Sequence, residues 1–221
     1  TLSPSTLYNI SVVAKDAAGN TSAAGTTSFT TLTPPDVTAP SDPTNVAATN
    51  DAETSADLSW DASTDNVGVT GYELSLNGGA AIAVAGTSYS LSGLTPSTLY
   101  NISVVAKDAA GNTSVAGTTS FTTTDVTAPS DPTALSVTGS TSNALSLSWT
   151  ASIDNSGAAM YNVYRDNVLD GTTTAPSYVS NGLAASTTYQ FKVEAVDAAG
   201  NVSGFSNMVS GTTQAAVLGK T

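Results

Sequence analysis

Residues 6–22 read TLYNISVVAKDAAGNTS, and residues 98–114 carry the same seventeen letters. The identity runs further: 2–31 matches 94–123 at an offset of 92, with only Ser3/Thr95 and Ala23/Val115 differing. A diverged third copy follows at an offset of 89, where Leu183 to Ser203 answers Leu94 to Ser114. The connecting segment repeats too, since Asp36-Val-Thr-Ala-Pro-Ser-Asp-Pro-Thr44 returns as Asp125 to Thr133. A period of 89 to 92 residues is too long for one coil of a solenoid and suits a whole small domain. The chain therefore reads as beads on a string, and its function has to be one that repetition serves.

Inside a bead the apolar period is two. Tyr100, Ile102, Val104 and Ala106 share one face while Asn101, Ser103 and Lys107 share the other, and Tyr189, Phe191, Val193 and Ala195 keep the rule in the last bead. Further strands are expected at Ala56 to Trp60, Tyr72 to Leu76 and Leu145 to Trp149, separated by turns such as Asn77-Gly78-Gly79 and Asn167 to Gly171. No helix-length amphipathic pattern occurs. Short strands with frequent turn signals argue an all-β antiparallel sandwich.

The residues then carry a resemblance. Pro43 before a first strand, Trp60 in the second, Tyr72 in the third, Leu94-Thr-Pro-Ser-Thr-Leu-Tyr100 ahead of the sixth, and a closing Thr-Thr resemble fibronectin type III domains; Pro132, Trp149, Tyr161, Leu183 and Tyr189 repeat the pattern. The phrases WDASTDNVGVTGY and AKDAAGNTS resemble the bacterial branch of that family, found in secreted polysaccharide-degrading enzymes and in large surface proteins. The resemblance implies immunoglobulin-like seven-stranded β-sandwiches with Trp60, Tyr72, Leu94, Tyr100, Trp149, Tyr161, Leu183 and Tyr189 as structural core, and with Tyr100 and Tyr189 forming the tyrosine corner. It implies this division: 1–32 as the C-terminal half of a domain (strands F and G only), 33–42 as a Pro-rich linker, 43–124 as a domain, 125–131 as a linker, 132–214 as a domain and 215–221 as a tail. The half-domain is expected to be either a piece of a longer array or a ribbon completed by another chain, because two lone strands are marginal in water.

Composition narrows the chemistry. With no cysteine and no histidine, the chain lacks a thiolate, a disulfide framework, the usual general base and the commonest zinc ligand. Serine and threonine abound, but Lys15, Lys107, Lys192 and Lys220 offer no plausible base to activate them. No catalytic residue is assigned, and no cofactor is required. A net charge of −12 opposes nucleic acid and anionic lipid as partners. No run of about 18 apolar residues is present, so no membrane insertion is expected.

One acidic constellation follows from topology. In the implied fold the BC and FG loops meet the incoming linker at one pole, which collects Asp36, Asp42, Asp61, Asp65, Asn66, Asp108 and Asn112 in one bead. Asp125, Asp131, Asp154, Asn155, Asp197 and Asn201 are their equivalents in the next, with Thr150 in place of Asp61. Such oxygens suit calcium, while the opposing reading is that Asp and Asn merely cap tight turns. For carbohydrate, the candidate outward aromatic is Tyr164, with Tyr89, Tyr178 and Phe205 as weaker ones.

The expected function is a non-catalytic extracellular spacer, part of a secreted or cell-surface protein, that positions other domains of the same parent chain. Two alternatives stand beside it: an adhesin or filament subunit whose identical chains associate, and an accessory polysaccharide-binding module. Four prolines within 33–43 favour an extended, semi-rigid linker in any of these roles.

Overall fold

The computed structural model describes residues 1–49 and 51–216; within these there is no helix, and sixteen strands form five antiparallel sheets. The last part of the expected tail, 217–221 with Lys220, lies outside the described residues. Alternation drives the result. Strand β1 (Leu7–Val12) pairs with β2 (Gly25–Thr30) as a two-stranded hairpin.

The middle bead stacks two sheets. One has the order β3-β4-β7, from β3 (Ala47–Thr49), β4 (Ser55–Ser59) and β7 (Ser88–Ser92). The other has the order β6-β5-β8-β9, from β5 (Val69–Leu76), β6 (Ile82–Val84), β8 (Leu99–Asp108) and β9 (Gly117–Thr122). The last bead repeats this plan. Its three-stranded sheet is β10 (Thr133–Ser140), β11 (Ala144–Thr150) and β14 (Ser177–Asn181), and its four-stranded sheet orders β12 (Ala158–Arg165), β13 (Val168–Thr173), β15 (Thr188–Asp197) and β16 (Val209–Thr212) as β13-β12-β15-β16. This is the seven-stranded sandwich, twice.

The inward phase of each strand fills the space between the sheets. Leu58, Leu74, Ile102 and Val104 are buried in the middle bead, and Leu145, Leu147, Val163 and Phe191 in the last. Each such side chain contributes about 1.5–3 kcal/mol by leaving water. The expected tryptophans pack edge-to-face on the expected tyrosines, Trp60 on Tyr72 at 5.4 Å and Trp149 on Tyr161 at 5.2 Å between ring centroids. Leu94 and Leu183 are buried, whereas Tyr100 and Tyr189 are half-buried and pack on the cluster edge. Both form the tyrosine corner: the Tyr100 hydroxyl accepts from the Thr95 amide at 2.9 Å, and that of Tyr189 from the Ala184 amide at 3.0 Å.

One turn differs from expectation. The stretch Asn167 to Gly171 is not a loop, because the turn closes at Asp166 and Asn167, both at positive φ, and β13 begins at Val168. Gly171 instead lies inside that strand against the Tyr178 ring, where any Cβ would collide with the phenol.

Candidate functional site at the acidic poles

Several local devices converge on the pole where each linker meets its bead. The Tyr72 hydroxyl accepts from the Ser63 amide at 2.9 Å, and the Tyr161 hydroxyl from the Ser152 amide at 2.9 Å, so a core ring fixes the start of each BC loop. Ser41 ties the linker to that loop, its amide donating to the Thr64 carbonyl at 2.8 Å and its Oγ accepting from the Thr64 amide at 2.9 Å. Ser130 does the same with Ile153, at 2.9 Å in both bonds. The FG turn is closed by Asp108, whose carboxylate accepts from the amide and the Nδ2 of Asn112 at 2.8 and 2.6 Å; Asp197 repeats this with Asn201 at 2.8 Å twice. Gly111 and Gly200, at φ 93° in both cases, provide the left-handed residue that the turn needs.

Linker, BC loop and FG turn thereby bring three carboxylates together in each bead. Asp36, Asp65 and Asp108 form one triad and Asp125, Asp154 and Asp197 the other, with one oxygen of each member within 4.8 Å of the others. The amides of Val67 and Gly68 donate to Asp65 Oδ2 at 2.8 Å each, and those of Thr38 and Asn66 Nδ2 to Asp36 Oδ1 at 3.1 and 3.2 Å. The remaining oxygens, Asp36 Oδ2 and Asp65 Oδ1, are buried to less than 1 Å² without a donor. In the last bead Ser156 donates through its Oγ to Asp125 Oδ2, and through its amide and Oγ to Asp154 Oδ2 at 2.9 Å, again leaving Asp154 Oδ1 buried and unpartnered. Among the described residues the ion pairs Lys107–Glu73 at 2.6 Å and Arg165–Asp170 at 2.9 Å engage carboxylates outside the triads.

Burial pushes Asp108 and Asp197 up, but the hydrogen bonds from the asparagine and from the turn amides outweigh it and hold both below the usual carboxylate range. The asparagines also span the joint, Asn112 Nδ2 donating to the carbonyls of Asp36 and Thr38 at 3.4 and 3.3 Å and Asn201 Nδ2 to that of Asp125 at 3.1 Å.

Other expected ligands go elsewhere. Asp42 accepts from the Val115 amide at 3.0 Å and so holds the linker to the stretch before β9, while the Asp131 carboxylate lies against Gly204, the residue equivalent to Val115. Asp61 accepts from Thr44 and Asn45. Asn155 donates through its Nδ2 to Glu53 of the preceding bead at 2.6 Å. Hydrogen bonds from Thr127 and Asn155 hold Glu53 low, and it lies beside Asp125. Glu53, Ser41, Ser130 and Ser156 escaped the sequence reading; the repeated serine in the duplicated linker was the available signal.

Of the outward aromatics, Phe205 is exposed with Lys192 Nζ 3.8 Å over its ring, and the tyrosines are half-buried. Tyr164 is half-buried, donates to Glu194 Oε1 at 2.9 Å, meets Phe205 edge-on at 5.4 Å and has Lys192 Nζ over its ring at 5.8 Å. The bond to Glu194 and burial push its phenol up. Tyr89 and Tyr178 pack on the cores. Depressions among the described residues include open grooves along strands, such as that lined by Thr70, Glu73, Ala83 and Lys107. No helix among them is long and apolar enough to cross a membrane.

Residues 41–122 and 130–212 both match the model of the fibronectin type III domain. The chain belongs to the fibronectin type III family. This type III array is 47% identical over 191 residues to chitinase A1 of Niallia circulans, an alignment covering 84% of the array and 27% of that protein. It is 46% identical over 229 residues to exoglucanase A of Cellulomonas fimi, covering 96% of the array and 26% of the enzyme. Exoglucanase B of the same organism is 44% identical over 190 residues, covering 82% and 17%. The array thus spans about a quarter or less of these relatives. The type III domain is itself non-catalytic.

Proposed function

We propose that the array is an extracellular spacer in a larger polysaccharide-degrading protein, holding a catalytic domain apart from the other domains of its parent chain. The observation that carries this reading is the tandem of sandwiches with filled cores joined by proline-rich linkers, matching segments of a chitinase and of exoglucanases that are several times longer. Chitin and cellulose are insoluble polymers that cannot enter a cell, which argues for work outside it. The mechanism is mechanical. The linkers that contain Pro34, Pro35 and Pro40 before one bead and Pro129 before the next restrict the backbone, and the hydrogen bonds of Ser41 and Ser130 fasten each linker to the bead it enters. A surplus of acidic groups keeps neighbouring beads from collapsing together.

The test fuses the array between a chitinase or cellulase catalytic domain and a binding domain for its polymer. Deleting the array is expected to lower turnover of insoluble polymer while leaving turnover of a soluble oligosaccharide unchanged. Equal loss on both substrates, or none on either, sinks the spacer reading. Retention of the isolated array on the polymer would favour the accessory binding module instead.

A further inference from the structure

We propose that each linker-bead joint is a calcium site: Asp36, Asp65 and Asp108 at the middle bead and Asp125, Asp154 and Asp197 at the last. Two independent observations meet here. First, three carboxylates from three separate segments approach within 4.8 Å in both beads. Second, carboxylate oxygens of the same residues, Asp36 Oδ2, Asp65 Oδ1 and Asp154 Oδ1, are shut off from solvent with no donor. A turn-capping aspartate has no need of the second feature. Its amide bonds are already made through the other oxygen, and a buried oxygen left bare costs free energy that a cation recovers.

The chemistry of the donor set selects the ion. Only oxygen is offered, without imidazole or thiolate, which favours hard cations over zinc or copper. The donors come from a linker and two loops, and their spacing is irregular. That suits the flexible coordination of calcium, with water filling the remaining positions, better than the strict octahedron of magnesium. Because Asp36 and Asp125 belong to the linkers while the other four belong to the beads, the ion bridges linker to bead. Its occupancy sets the stiffness of the joint. At the last bead Glu53, from the bead before, stands beside Asp125 and extends the same joint across two beads.

Calorimetric titration of the whole, chelator-treated chain with calcium chloride tests this. Two ions are expected to bind, in the range of about 10⁻⁴–10⁻³ M or tighter that extracellular calcium modules show. Asp36→Asn is isosteric and lies outside both cores; it should remove one ion and leave the other, and Asp36→Asn with Asp125→Asn should remove both. Asp65→Asn and Asp154→Asn form a second pair, should the first alter folding as read by tryptophan fluorescence. In calcium, the amides of Thr38 and Thr127, which bond to Asp36 and Asp125, should exchange about tenfold more slowly at saturation well above the dissociation constant. No binding heat together with unchanged exchange overturns the proposal, as does uptake that survives the double variant or magnesium binding as tightly as calcium. None of these readouts involves a polysaccharide, so this proposal and the spacer reading fail separately.

Discussion

The hairpin β1–β2 and the hairpin β8–β9 are built from the same residues, and among the described residues only the second is part of a sandwich. Their registers coincide: Leu7↔Thr30 to Val12↔Gly25 in the first, and Leu99↔Thr122 to Val104↔Gly117 in the second. The tyrosine corner forms in both, with Tyr8 accepting from the Ser3 amide at 2.7 Å. The turn closes identically, Asp16 accepting from the amide and Nδ2 of Asn20 at 2.8 Å each. Ring stacking is also conserved, Tyr8 on Phe29 at 5.8 Å and Tyr100 on Phe121 at 5.7 Å. Everything that depends on neighbours in sequence is therefore local property. Burial is not: Ile10 is 41% exposed and Val12 65%, against 2% for Ile102 and 0% for Val104. Even strand length responds, since β8 continues from Val104 to Asp108 along β5, and no strand among the described residues lies beside β1 in that way.

The largest expected consequence is kinetic. Amides of Ile102 and Val104 should exchange only on opening of the whole bead, at least about a thousandfold more slowly than those of Ile10 and Val12, given domain stabilities of about 5–15 kcal/mol. Residue-resolved hydrogen exchange reads this directly. Comparable protection of the two copies would mean that something covers the first hairpin in solution.

Mutation should sharpen the same contrast. Ile102→Ala opens a cavity beside Leu74 and Val104 and is expected to cost the middle bead about 2–5 kcal/mol, whereas Ile10→Ala should change stability by less than about 0.5 kcal/mol. Urea titration followed by Trp60 fluorescence measures the first, and the separate core around Trp149 acts as an internal control. Next in size is the corner. Tyr100→Phe removes the acceptor for the Thr95 amide and should cost about 1 kcal/mol, while Tyr8→Phe, equivalent in sequence, should leave both sandwiches unaffected.

How far such features were legible from sequence depends on how local they are. The strands, the Trp60–Tyr72 and Trp149–Tyr161 pairs and the tyrosine corner follow from alternation and from the resemblance those residues carry. The carboxylate triads were legible only through topology, because linker, BC loop and FG turn are far apart in the chain. Within one linker, Asp36 and Asp42 point to different partners, and no period describes a proline-rich irregular backbone. The Asn155–Glu53 contact spans 102 residues and two beads, so nothing near either residue announces it. Gly171 read as a turn signal, but its role is to make room for the Tyr178 ring.

The smallest expected effect concerns acid. Asp16, Asp108 and Asp197 are all held below the usual carboxylate range, Asp16 mainly by the side chain and amide of Asn20, and the other two by their asparagines and turn amides against the opposition of burial. A carboxylate whose pKa is lowered by folding adds stability that is fully present above its unfolded pKa of about 3.9 and is lost as pH falls through the folded value. For Asp108 and Asp197 that loss falls on a sandwich, so each bead should weaken below about pH 4, where an unfolded aspartate begins to hold its proton. For Asp16 the same titration touches only a turn in an exposed hairpin. Carboxyl chemical shifts followed through an acid titration should therefore give low midpoints at all three residues, while acid unfolding of the beads is slowed by nothing done to Asp16. If Asp16→Asn shifts the acid unfolding of the middle bead as much as Asp108→Asn does, the two hairpins are energetically coupled and their difference in burial does not separate them.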